Sequence, residues 1–123
     1  MCELRLIATD GIHAATWRWE LAQLELGARA AWPQPGSRLW AACATRLGTQ
    51  LRGTEAPVVL ALDGYSLVGA VWPRRDRPLL PHGPFVMPQF REGALARRLV
   101  VAWLREVDAG AEPVPVEPLR SGR

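Results

Sequence analysis

Lysine is missing from this 123-residue chain, whose 15 basic side chains are all arginine. Its absence excludes Schiff-base chemistry and a lysine general base, because a guanidinium does not give up its proton in proteins. Cysteine is scarce: Cys2 and Cys43 stand far apart, so neither a disulfide framework nor a thiolate metal site is expected. The two histidines, His13 and His82, are too scattered to complete a ligand set, and no metal is expected. Long apolar runs are also lacking; none approaches the roughly 20 residues that cross a bilayer. Nor is Met1-Cys2-Glu3-Leu4-Arg5 a basic segment leading into an apolar one. A soluble, cytoplasmic protein without a membrane partner is expected.

What is present is apolar matter, 49% of residues, enough for one core in a chain of this length. The expectation is a single domain over 1–123, with 117–123 a frayed polar tail. The net charge of +3 comes from arginines spread along the chain rather than gathered in a stripe, so nucleic acid is not the expected partner.

Weak alternation over Cys2 to Ala8 reads as a first strand, with Leu4 and Leu6 opposite Glu3 and Arg5. Thr9 and Asp10 can cap a helix from Gly11 to about Leu26, with Ile12, Ala15, Trp19, Ala22 and Leu26 facing inward and Gly27 as its stop. Trp32-Pro33-Gln34-Pro35-Gly36 is a loop, and Ser37 caps a second helix, Arg38 to Arg52, burying Leu39, Cys43, Leu47 and Leu51. Val58 to Leu62, Asp63-Gly64 and Tyr65 to Trp72 form a hairpin, since Asp-Gly suits a two-residue turn. Both of its strands are apolar on both faces, which requires cover on both sides: a mixed α/β sandwich.

Arg74 to Pro84 is rich in proline and arginine and reads as a loop carrying His82, followed by a short strand, Phe85-Val86-Met87. A helix follows from about Gly93 to Ala109, with Leu95, Leu99 and Ala102 toward the sheet and Val100, Trp103 and Val107 as further candidates for that face, then a short strand within Pro113 to Val116. Of the six tryptophans, Trp19, Trp40, Trp72 and Trp103 fall on core patterns, leaving Trp17 and Trp32 for a pocket or partner surface.

The junction between the Phe85-Val86-Met87 strand and the helix from Gly93 carries the chemistry. Pro88, Phe90, Arg91, Ala94, Ala96 and Leu99 write a Pro-x-Phe-Arg-x-x-Ala-x-Ala-x-x-Leu pattern at a helix start, where free N–H groups and the helix dipole favour phosphate. This pattern resembles the pyrophosphate loop of the GNAT N-acetyltransferase superfamily. The order of elements over residues 3 to 117 is similar to that family too. The resemblance implies an α/β fold with a central sheet covered by helices on both faces. Relative to the family, the usual C-terminal helix and strand pair are lacking, as in a truncated or degenerate member.

It further implies acetyl-coenzyme A as cofactor, its pantetheine arm between strands four and five and its pyrophosphate on the turn. The cofactor residues carried over are Val86, Met87, Arg91, Gly93, Ala94, Leu95 and Ala96; Ala94 stands where the first glycine usually lies, and Gly93 is one place early. Transfer to an amine-bearing acceptor requires a base, and the candidates are His82 and Glu92. Tyr65, the one tyrosine, does not match the family's thiolate-protonating position. The alternative expectation is a non-catalytic binding or regulatory module of the same fold that acts through a protein partner; a homodimer completing its sheet from a second copy is a further expected partner.

Overall fold

The computed structural model describes residues 4–29 and 36–110. Its elements run β1 (Leu4–Thr9), α1 (Gly11–Ala14), a 3-10 turn (Ala15–Trp17), α2 (Arg18–Arg29), α3 (Arg38–Arg52), β2 (Val58–Asp63), β3 (Ser66–Pro73), β4 (Pro81–Val86), a second 3-10 turn (Pro88–Phe90) and α4 (Leu95–Gly110). The four strands lie in the order β1-β2-β3-β4, each antiparallel to its neighbour. The expected strand within Pro113 to Val116, Trp32 and the 117–123 tail lie outside the described residues.

Both faces of the central strands are buried, as the sequence requires. Val58, Leu60 and Leu62 of β2 join Leu21, Ala44, Leu47 and Leu51 on the side of α1, α2 and α3. Val59 and Ala61 face Leu95, Leu99 and Trp103 of α4 on the other. Burying each such Leu or Val contributes on the order of 2 kcal/mol, so the sheet is held as the middle of three layers. The Trp103 Nε1 donates to the Pro57 carbonyl at 3.0 Å, tying α4 to the start of β2. At Gly69 a Cβ would lie 3.1 Å from Leu99 Cδ1, so the missing side chain lets α4 settle onto β3.

The hairpin forms with its register one step later than the spacing predicts: Asp63 pairs with Ser66, the turn is Gly64-Tyr65, and Gly64 takes φ +65°. Tyr65 is therefore 97% exposed at the tip rather than in the strand. Helix α3 has the predicted bounds, with Ser37 accepting from the Trp40 N–H at 3.2 Å. Ser37→Ala is expected to cost about 1 kcal/mol, read from the urea unfolding midpoint at an unchanged slope.

The first helix departs from its predicted stripe. A 3-10 turn advances the chain about 120° per residue instead of 100°, so Ala15–Trp17 rotates everything after it. Trp19 (41% exposed) consequently faces out, and Leu21, Ala22, Leu24 and Glu25 face in, while Ile12, before the turn, is 69% exposed. Trp17 instead packs half-buried against the core. The helix also runs through Gly27 to Arg29. In α3, Leu39 is 64% exposed because it lies in the first turn, beyond the edge of the layer that Cys43, Leu47 and Leu51 enter. Helix α4 begins at Leu95, two residues later than predicted, after a turn at Arg91 to Ala94.

The largest departure concerns His82. It lies in β4, paired with Trp72, rather than in a loop. Pro81 is tolerated as the first residue of the strand, and Pro84 falls in an irregularity of an edge strand, the two places where a missing N–H does no harm. The register moves two residues on β3, from Ala70 to Trp72, while it moves three on β4, from Phe85 to His82. That extra residue, at Gly83-Pro84, sets the site.

Candidate active site

In a regular strand, residues three apart point to opposite faces. The bulge at Gly83-Pro84 cancels that alternation, so His82 and Phe85 both lie on the α2 side, their ring centroids 5.1 Å apart. Beneath them the fully buried Trp72 presents its indole to both rings, at 5.4 Å from His82 and 5.1 Å from Phe85. The aromatic floor holds the imidazole while leaving its side chain 32% exposed.

Above the ring lies Glu25, placed inward by the rotated helix and 1% exposed. Both of its oxygens are occupied. Oε2 meets His82 Nε2 at 3.0 Å and Arg29 Nη2 at 2.9 Å; Oε1 meets Arg46 Nη2 at 3.0 Å and the Cys43 thiol at 3.5 Å. Burial pushes its carboxyl upward, but the hydrogen bond from His82 and the charge of Arg46 prevail and lower it from 4.5 to about 2. Burial and the neighbouring carboxylate together raise the Cys43 thiol, so it stays a protonated donor. For Arg46 the pull of Glu25 outweighs burial and raises its pKa.

A chemical consequence follows from the ionised state of Glu25. A carboxylate only accepts, so the hydrogen in the His82 Nε2 to Glu25 bond belongs to the imidazole. In its neutral form the ring then carries its lone pair on Nδ1. The pair is a fixed carboxylate and an oriented imidazole with a basic nitrogen, the arrangement required of a positioned proton acceptor.

At its other end β4 runs into the second candidate region. Val86 is buried and Met87 half-buried, its N–H continuing the ladder to the Val68 carbonyl at 2.9 Å. By antiparallel alternation the N–H of Val86 points away from β3, along an edge that no described strand covers. Arg91, Glu92, Gly93 and Ala94 are exposed, Leu95 enters the core and Ala96 is half-buried. Arg98 is the first residue whose N–H bonds back into the helix, to Ala94 at 3.0 Å. Ala94 has no side-chain acceptor, so it cannot cap the N–H groups of Leu95, Ala96 and Arg97. Arg91 reaches across to the Gly27 carbonyl at 3.4 Å, linking this turn to the helix that bears Glu25.

Glu92 makes no side-chain bond among the described residues and stands in the turn after β4, whereas His82 lies near the start of that strand; the fold does not bring the two candidate bases together. Glu25, Arg46 and Trp72 were not singled out as site residues by the sequence. The one signal for Glu25 is a charged residue four places after Leu21 and three after Ala22, inside an apolar stripe. Among the described residues no cluster of three or more metal-ligating side chains occurs, and no helix is long and apolar enough to cross a membrane.

No protein-family model and no curated protein sequence matches the chain. Solved structures do. Ribosomal-protein-alanine N-acetyltransferase from Brucella melitensis biovar Abortus 2308 superposes with a TM-score of 0.58 at 16% identity, over 87% of this chain and 74% of that one. The aminoglycoside acetyltransferase meta-AAC0020, from an uncultured soil metagenomic sample and in complex with trehalose, gives 0.54 at 14% identity, over 87% and 71%. A third, the aminoglycoside acetyltransferase HMB0005 from an uncultured soil metagenomic sample, gives 0.52 at 14% identity, over 88% and 73%. At such identities what is shared is the architecture: the chain has the fold of the GNAT N-acetyltransferases.

Proposed function

We propose that this protein is an N-acetyltransferase that takes an acetyl group from acetyl-coenzyme A and delivers it to an amine. The observation that carries the reading is the course of β4, which bears the Glu25-paired His82 at one end and leads at the other into the uncapped first turn of α4. The residues present suit the cofactor. The N–H groups of Leu95, Ala96 and Arg97, which have no helical acceptor, with the positive end of the helix dipole and the guanidinium of Arg91, suit a diphosphate; Val86 and Met87 line the strand edge alongside. Gly93 and Ala94 keep the turn low, and neither carries a side chain long enough to cover those donors.

Bound there, acetyl-coenzyme A supplies an activated acetyl thioester. His82 Nδ1 takes a proton from the acceptor ammonium, generating the nucleophilic amine. Glu25 holds the ring in the tautomer that leaves Nδ1 basic and stabilises the imidazolium once the proton has moved. The base is His82 rather than Glu92, because Glu92 has no orienting partner among the described residues and its charge beside the anion site serves neither proton transfer nor phosphate binding.

Thermal unfolding tests the cofactor site. Acetyl-coenzyme A at about 100 times its Kd is expected to add roughly 2.7 kcal/mol, a shift of several degrees. Arg91→Glu, at an exposed position with one hydrogen bond to lose, is expected to raise Kd at least about tenfold and shrink the shift accordingly. An unshifted midpoint in the unsubstituted protein contradicts the proposal.

A further inference from the structure

Arg46 belongs to two places at once. One of its nitrogens reaches the buried Glu25 at 3.0 Å, yet the side chain is 45% exposed and lines a groove of about 820 Å³. That volume lies within the range of roughly 300–1,000 Å³ typical of ligand sites. One wall is the outer face of α3, where Thr45, Arg46, Thr49 and Gln50 fall together at helical spacing. The opposite wall is the 74–79 segment, and Pro57, Pro73 and Val107 give apolar lining between them. The walls are tied: Gln50 Nε2 donates to the Pro73 carbonyl at 3.4 Å, and the Arg74 N–H donates to Leu80 at 2.9 Å.

The groove is polarised. Among the described residues, Arg46, Arg74 and Arg75 line it with one acid, Glu55, and hydroxyls of Thr45 and Thr49 add neutral hydrogen-bonding groups. One of its lining residues, Pro73, pairs with Pro81, and the next residue on each strand is the Trp72–His82 pair. A ligand lying along α3 meets Arg46 and, through it, the carboxylate that holds His82.

We propose that this groove is the acceptor subsite and that it selects a peptide segment carrying carboxylates, which Arg74 and Arg75 pair while the amine is directed toward His82. The acceptor role rests on the acetyl-transfer reading above; the selection of acidic peptide rests on the groove's charge and shape. Arginine suits the task because its planar fork binds a carboxylate through two parallel bonds. A cationic segment meets the guanidiniums of Arg74 and Arg75 and is rejected.

The test is fluorescence anisotropy of the full chain with a labelled Glu/Gly-alternating octapeptide, its Arg/Gly counterpart and an oligonucleotide of equal negative charge. No cofactor or turnover is needed, so the outcome is independent of the Arg91→Glu experiment. The acidic peptide is expected to bind saturably and at least about tenfold tighter than the other two. Arg74→Glu combined with Arg75→Glu, both at exposed positions, is expected to weaken it at least about tenfold. Thr49→Trp, also at an exposed position, fills the groove without changing charge and is expected to do the same. Binding that survives Thr49→Trp would be general attraction to a basic protein and would overturn the proposal. So would absence of saturable binding, or tighter binding of the oligonucleotide.

Discussion

His82→Gln is expected to lower kcat for acetyl transfer by roughly 10²- to 10⁴-fold, the range that a positioned acid or base contributes. Glutamine is chosen because its amide still donates to Glu25, so the buried carboxylate keeps a partner from β4. The loss is therefore expected in kcat, with the apparent affinity for acetyl-coenzyme A unchanged, because the cofactor turn lies past the other end of the strand. Circular dichroism and the unfolding midpoint serve as controls and should stay near those of the parent protein. The same variant separates the two candidate bases: Glu92→Gln, in the exposed turn, is expected to change kcat less than about threefold.

Glu25→Gln is expected to have the largest effect on stability. A carboxyl whose pKa falls from 4.5 in the unfolded chain to about 2 in the folded one contributes up to roughly 3 kcal/mol at neutral pH. For a domain of this size that corresponds to a fall of about 10 °C in Tm. The dependence on pH has a definite sign. Because the folded pKa is the lower one, the contribution is complete above about pH 5 and is lost as pH falls through 4.5 toward 2. Parent and variant should thus differ most at neutral pH and converge in acid. Glutamine also lacks the charge that keeps the proton on Nε2 of His82, so the variant is expected to lose activity as well as stability. A constant difference in Tm from pH 7 to pH 3 would mean that Glu25 acts by packing alone.

The parts of this architecture that the sequence discloses are those governed by local rules. Ser37 and the spacing of Cys43, Leu47 and Leu51 bound α3 because a cap and a 3.6-residue period are both local. The two-faced apolar strands of the hairpin announce cover on both sides. The turn before α4 is equally legible as a structural element, because a strand, a small-residue turn and an amphipathic helix occur consecutively.

The carboxylate–imidazole pair was hidden by two irregularities. A 3-10 turn at Ala15–Trp17 rotates α2, sending Trp19 outward and Glu25 inward, and periodicity carried across that turn misplaces Trp19 and misses Glu25, while Ala22 stays buried. A bulge at Gly83-Pro84 turns His82 to the side of Phe85, where two prolines otherwise read as a loop. Their coincidence brings together residues 57 positions apart in the chain. No local pattern contains that contact.

The central claim is that acetyl-coenzyme A binds where β4 gives way to α4, and an amide NMR titration tests it most directly. The account predicts that saturating acetyl-coenzyme A shifts the N–H signals of Gly93 to Arg97 most, with Val86 and Met87 next, and leaves those of Thr45 to Gln50 on α3 nearly unmoved. Absence of saturable shifts, or shifts centred away from the 86–97 segment, would contradict it.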